Sequence, residues 1–215
     1  RDDSRDDPEV IEYLENENKL ADLWFDSKYD YQSEIVVELT NQVPDNEITF
    51  PVTNNSYKYY QKINKNDQLP RYYRKDKEKN EKLYLDPNLK LKDQAYYSIG
   101  SISPSPDNTL IAFTEDNNVR REYQIKILNP DTLKTLDETI VGASNDVVWF
   151  NDNNYILYLK KDPVTLIADS VFLHKIGTKQ KEDILIFKED DPEFNINLYT
   201  SKTKKYAYLD IESTN

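Results

Sequence analysis

Cysteine and methionine are absent from this 215-residue chain, and glycine occurs only at Gly100, Gly142 and Gly177. Without cysteine there is no disulfide framework, no thiolate nucleophile and no sulfur-ligated metal. No apolar run approaches the roughly 18 residues of a membrane span, and no signal-peptide core is visible, so a cytoplasmic location is the expectation. Basic residues are in the minority: 28 Lys and Arg stand against 40 Asp and Glu, for a net charge of −12. Phosphate binding needs a basic footprint, so this balance disfavours nucleic acid, and it disfavours anionic membrane surfaces equally. An acidic surface can attract basic peptides, although a solubilising role accounts for the charge as well. With Arg1 first and no methionine, the chain is expected to be a stretch of something longer.

The hydrophobic fraction of 37% and the charged fraction of 32% would by themselves lean toward disorder. The 17 Tyr, 7 Phe and 2 Trp decide otherwise, because disordered chains are poor in aromatic residues.

Residues 1–44 read as a helical extension. Asp6 and Asp7 offer N-cap oxygens, Pro8 suits a first turn, and Glu9 and Glu12 complement the helix dipole. Val10, Leu14, Ala21 and Phe25 recur at helical spacing, with Asn18 the polar member of that stripe. A second helix is predicted from Tyr29 to Leu39, carrying Ile35, Val36 and Leu39, and it must end before Pro44.

From residue 45 to 215 the pattern changes to short aromatic and aliphatic runs separated by Asn, Asp, Pro and Ser clusters. Four segments repeat one plan: an apolar strand, a polar turn and a second strand. The second strands begin at Tyr57, Leu110, Tyr155 and Tyr206, at intervals of 53, 45 and 51 residues. A drifting period of that size filled by strands is the spacing of β-propeller blades, although an open sandwich can also place strands closely. The first blade would use Ile48–Phe50, Tyr57–Gln61, Arg71–Arg74 and Lys82–Leu85. The second would use Ile99–Ser103, Thr109–Thr114, Tyr123–Leu128 and Asp137–Val141. The third would use Val147–Phe150, Tyr155–Lys160, Ser170–Lys175 and Asp183–Lys188. Phe194–Thr200 and Lys205–Ile211 make half of a fourth. The expected fold is mainly β: an incomplete propeller of about three and a half blades behind a short helical segment.

Catalytic chemistry is hard to find. A nucleophile elbow needs glycines two residues before and two after its serine. Gly142-Ala143-Ser144 begins like one, but Asp146 occupies the second glycine position; Ser98 has Gly100 after it but Tyr96 before it. His174, the single histidine, falls in a strand-like run and reads as structural. No histidine pair and no calcium-loop pattern exists, and phosphate-cradling glycine loops are excluded by composition. Asp2-Asp3 and Asp6-Asp7 read as helix-start residues, and Glu189-Asp190-Asp191 before Pro192 as a solvated turn. Tyr59-Tyr60, Tyr72-Tyr73 and Tyr96-Tyr97 offer a stacking platform, but tyrosines on half-buried strands more often pack. No catalytic, cofactor-binding or metal-binding residue is therefore expected, and no cofactor.

Several segments carry a resemblance in order along the chain: Arg1-Asp2-Asp3-Ser4-Arg5, Pro8-Glu9-Val10, Tyr13-Leu14-Glu15-Asn16-Glu17-Asn18, Leu69-Pro70-Arg71-Tyr72-Tyr73-Arg74, Leu85-Asp86-Pro87-Asn88, Ser105-Pro106-Asp107, Arg120-Arg121-Glu122-Tyr123, Trp149, His174-Lys175-Ile176-Gly177-Thr178, and Glu189-Asp190-Asp191 with Phe194. They resemble the N-terminal part of the oligopeptidase B branch of the prolyl oligopeptidase family. The resemblance implies a seven-bladed propeller covering a C-terminal α/β-hydrolase domain and admitting small peptides, with cleavage after Arg or Lys. The family's triad lies in the hydrolase domain, so none of it maps onto this chain. Asn108 and Asn117-Asn118 stand where the family often has turn glycines, and asparagine tolerates the left-handed conformation. Two other readings stay open: a non-catalytic peptide-binding or scaffold propeller, and a split-gene remnant without independent activity.

Overall fold

The computed structural model describes residues 4–213, so the Asp2-Asp3 pair lies outside the described residues. The chain divides into two compact units, Arg1–Asp45 and Asn46–Asn215.

The first unit is a pair of helices, α1 (Pro8–Asp26) and α2 (Tyr29–Gln42). Asp7 is the N-cap of α1, its carboxylate accepting from the backbone N–H of Glu9 at 3.0 Å and of Val10 at 3.4 Å, with Pro8 in the first turn. Helix α2 runs three residues beyond its predicted end and stops where Val43, just before Pro44, turns extended. No residue of either helix is buried, so the apolar stripe of Val10, Leu14 and Phe25 stays exposed.

The second unit is antiparallel β-structure. The first blade contains β1 (Asn46–Ile48), β2 (Val52–Asn54), β3 (Tyr57–Asn64), β4 (Arg71–Lys75) and β5 (Glu81–Leu85). A short helix, α3 (Asn88–Leu91), follows. The second and third blades are built from β6 (Ser98–Pro104), β7 (Ile111–Asp116), β8 (Tyr123–Asn129), β9 (Lys134–Trp149), β10 (Tyr155–Lys161), β11 (Ala168–Lys175) and β12 (Ile184–Lys188). The hairpin β13 (Phe194–Thr200) and β14 (Ala207–Ser213) ends the described chain. These antiparallel sheets are a partial propeller, mainly β as the sequence implies.

Three details differ from the sequence reading. The first inner strand, predicted as Ile48–Phe50, is split into β1 and β2, which pair with opposite ends of β3. Pro51 has no N–H to give the ladder, and Phe50 beside it is left 91% exposed. Asp137–Val141 and Val147–Phe150 are not separate strands but one, β9. Its first part pairs with β8 and its last part with β10, so the outer strand of the second blade runs directly into the inner strand of the third. The join is at Gly142, whose φ of +71° suits a residue without Cβ. The third difference is at Asn117-Asn118. The left-handed residues there are Val119 and Arg121, because Asp116 and Asn118 spend their side-chain oxygens capping the N–H groups of Asn118, Arg121 and Arg120.

The core explains why the middle strands are apolar on both faces. Three buried clusters alternate with the sheets. Tyr72, Tyr84, Ile111, Phe113 and Leu128 pack between the first and second blades. Ala112, Ile125, Ile127, Ile140, Trp149, Ile156 and Tyr158 pack between the second and third. Val148, Leu157, Leu159 and Val171 pack with Ile196 and Leu198 of the final hairpin. Along β10, Ile156 and Tyr158 face one neighbour while Leu157 and Leu159 face the other. This is the period-two pleat read by a sheet buried on both sides.

Candidate functional site

The inner hairpins of the four blades turn at one place, and their turns share a construction. Three of them are closed by the same pair of backbone bonds. The N–H groups of Ser105, Phe150 and Ser201 donate to Leu110, Tyr155 and Tyr206, and those of Asn108, Asn153 and Lys204 donate back to Ser105, Phe150 and Ser201. The residue at the sharpest point is left-handed in each: Asn108 at φ 63°, Asn153 at 61° and Lys204 at 58°. In the first blade Asn55 does the same at 52°. Asparagine fills three of these four positions, which is how a chain with three glycines still makes its tight turns.

The turns are tied to each other, the first to the second, the second to the third and the last back to the first. Asn55 donates its side-chain amide to the carbonyl of Pro106, and Asn54 donates to the Asn108 side chain at 3.2 Å. The N–H of Asp107 donates to Asn153 at 3.0 Å. Lys204 in turn reaches from the last hairpin to the Asn54 side-chain oxygen in the first blade. Arg74, 2% exposed, fixes the back of this array. It donates to the Asn108 carbonyl at 2.8 Å and to Asp131 at 2.6 Å, with its guanidinium 4.3 Å from the Tyr57 ring centroid.

Where the turns converge they frame a cleft of about 310 Å³ with walls from all four blades. Val52 and Asn54 come from the first, Ile102 and Pro104 from the second, Val148 and Trp149 from the third, and Thr200 and Lys204 from the fourth. Trp149 is buried and its indole N–H is already satisfied by the Ser103 carbonyl at 2.8 Å, so it offers the cleft an apolar surface. A second depression of similar size lies against Tyr59, Tyr60, Tyr72 and Tyr84. These rings pack mainly on each other, Tyr59 on Tyr84 at 5.9 Å and Tyr60 on Tyr73 at 6.0 Å, rather than standing as an open platform. Tyr97 is buried with its hydroxyl on Glu115.

The other residues weighed in the sequence lie apart from this cleft. His174 is fully buried in β11. Its Nδ1 is 2.6 Å from Asp183, which also accepts from the Tyr158 hydroxyl at 2.8 Å. Its Nε2 faces Glu138 at 3.8 Å, and neither of those two atoms has a hydrogen-bond partner. Burial pulls the imidazole pKa down, but the two facing carboxylates, Glu138 and the hydrogen-bonded Asp183, outweigh it and hold the pKa above its ordinary value. The histidine is a clamp between strands. The Glu138 partner was not legible in the sequence, because it lies in the preceding blade, and Asp183 is brought to the ring by the connection that follows β11.

Gly142-Ala143-Ser144 lies inside β9 rather than at a strand-to-helix turn, and Asp146 is in the same strand with its carboxyl raised by burial. Glu189-Asp190-Asp191 is an irregular link leading into the turn at Pro192-Glu193, with Asp190 and Asp191 exposed and Glu189 half-buried; Glu189 and Asp191 accept from the N–H groups of Asp191 and Glu193, both at 3.0 Å.

Comparison with known proteins gives the same architecture. All of residues 1–215 match the model described as "Prolyl oligopeptidase, N-terminal beta-propeller domain". A "Dipeptidyl aminopeptidase BI" of Pseudoxanthomonas mexicana is 27% identical over 100% of this chain and 32% of its own length. "Protease 2" of Moraxella lacunata is 27% identical over 95% of this chain and 31% of its own. Among solved structures, oligopeptidase B from Leishmania major superposes with a TM-score of 0.91 at 24% identity, over 99% of this chain and 30% of that one. The chain thus spans about a third of the length of the relatives it matches.

Proposed function

The chain belongs to the prolyl oligopeptidase family, whose N-terminal β-propeller domain it matches throughout, and from that premise we propose that it is the first half of a propeller that admits small peptides to a C-terminal α/β-hydrolase domain. In this reading residues 1–44 are a helical extension and residues 45–215 are propeller. The blades hold no member of the catalytic machinery, the nucleophile, acid and base being supplied by the hydrolase domain. The observation that carries the reading is the array of linked turns beside a cleft walled by all four blades. Such a mouth can exclude folded protein by size while an extended peptide passes. Peptides cleaved after Arg or Lys are the proposed substrates, and the net charge of −12 favours their approach.

The test is made on the chain completed with the remaining blades and hydrolase domain of a family relative. Arg- and Lys-containing peptides of fewer than about thirty residues are expected to be cut, and a folded protein with exposed lysines to be spared. Cleavage after proline alone, or stepwise release of dipeptides from free N-termini, would replace the proposed specificity. Equal cleavage of the folded protein would remove the gating role.

A further inference from the structure

The cleft among the turns has one charged group in its lining. Besides Lys204 it is walled by Val52, Asn54, Val148, Trp149 and Thr200 among other uncharged residues, and no carboxylate lines it. This is unexpected in a protein with 40 acidic and 28 basic residues. The acidic groups nearest in the chain are turned to other work. Asp107 holds its own turn by accepting from Ser105 at 2.7 Å and from the Thr109 N–H at 3.0 Å. Asp152 lies in the adjoining depression with Lys204 and Lys205, and it accepts from the Asn154 N–H at 3.0 Å.

Lys204 itself is placed by the backbone. Its left-handed φ of 58° and its N–H bond to Ser201 at 2.8 Å fix where the side chain leaves the hairpin. The ammonium then spans the cleft to a neutral amide oxygen on Asn54 and, among the described residues, forms no ion pair. An ammonium has three donors and prefers an anionic acceptor, which gives shorter and stronger bonds than an amide. At the rim, Thr200 and Asn151 have side-chain polar groups with no partner among the described residues. The floor is apolar: Val148 is 6% exposed and Trp149 is 7% exposed.

We propose that this cleft binds the terminal carboxylate of a short peptide with an apolar last residue. Lys204 supplies the charge, Asn54 and Thr200 supply hydrogen bonds, and the Val52, Val148 and Trp149 surface takes the side chain. Charge complementarity selects the ligand: an amidated end would leave the ammonium where it now is, on Asn54. The cationic end of the same peptide is repelled by Lys204, so the cleft also sets which end of a peptide enters. The assignment rests on the peptide-handling role proposed above.

The experiment is a titration of the chain with Ala-Ala-Leu as the free acid and as its C-terminal amide, followed by tryptophan fluorescence and calorimetry. The free acid is expected to bind at least tenfold more tightly than the amide, and the difference should shrink as salt is raised. Lys204→Asn, which keeps a residue tolerant of the left-handed turn, is expected to abolish the preference; Lys202→Asn is expected to keep it. Equal binding of acid and amide, no binding of either, or a preference unchanged in Lys204→Asn would each overturn the proposal. The cleavage test above can use peptides blocked at their C-terminus, so its success or failure is read independently of this one.

Discussion

The guanidinium of Arg74 donates through Nη1 to the main-chain carbonyl of Asn108 at 2.8 Å, joining the third strand of the first blade to the inner turn of the second. Its other nitrogen is on Asp131, also in the second blade, at 2.6 Å. Arg74 is 2% exposed while Asp131 is 65% exposed, so the two halves of this ion pair are unequal. Asp131→Ala strands a buried cation, whereas Arg74→Met removes the cation and leaves a solvated carboxylate. We expect Asp131→Ala to cost about 3 kcal/mol, near the low end for a broken buried pair because Asp131 is solvated. Arg74→Met should cost about 2 kcal/mol, through its lost charge-assisted hydrogen bonds. Urea unfolding midpoints check both; two variants within about 0.5 kcal/mol of the parent would refute the arrangement.

Asn108 is the hub of the same array. Its backbone is left-handed, and its side-chain oxygen accepts from the Tyr59 hydroxyl at 2.9 Å and from Asn54 at 3.2 Å. Asn108→Gly keeps the conformation and loses the hydrogen bonds, for about 1 kcal/mol. Asn108→Ala loses both and should cost about 2 kcal/mol. Thermal unfolding of the two variants should rank them in that order, and a more stable alanine variant would show that the turn geometry is misassigned.

His174 makes stability depend on pH in a definite direction. Its folded-state pKa is raised, with burial opposing and the Glu138 and Asp183 carboxylates prevailing. The stabilisation is therefore complete below the unfolded value near 6.5 and is lost as pH rises through the higher folded value. Above that, two buried carboxylates face a neutral ring. Melting temperature followed from pH 6 upward should fall more steeply in the parent than in His174→Gln, and parallel curves would remove the clamp.

Gly100 and Gly142 are required for different reasons. A Cβ on Gly100 would stand 2.6 Å from both the Thr114 hydroxyl and the Tyr123 ring. One on Gly142 would meet nothing closer than 3.7 Å, so only its positive φ resists. Gly100→Ala is expected to cost about 2 kcal/mol from overpacking and Gly142→Ala about 1 kcal/mol from backbone strain. Denaturant titration separates them, and the reverse order would contradict the packing described.

Much of the fold was written in local pattern. Ile111-Ala112-Phe113 and Ile156-Leu157-Tyr158-Leu159 are apolar at every position because each sheet is covered on both faces, and such runs stand out in an acidic chain. Asp7 and Pro8 marked a helix start because capping needs only neighbouring residues. What escaped notice depends on distant partners or on the absence of one atom. The continuity of β9 through Gly142 needed its two neighbouring strands to be known. The His174 clamp needed Glu138 from another blade, and the convergence of Asn54, Trp149 and Lys204 on one cleft is a product of tertiary structure alone.

The central claim is that these blades serve a peptidase whose catalytic groups lie elsewhere. Its most direct test is turnover of a fluorogenic Arg-Arg peptide by the purified chain alone and by the chain completed with the remaining blades and hydrolase domain of a family relative. No turnover is expected from the chain alone, and sustained, serine-reagent-sensitive turnover is expected from the joined protein. Turnover by the chain alone, or none by a folded joined protein, would contradict it.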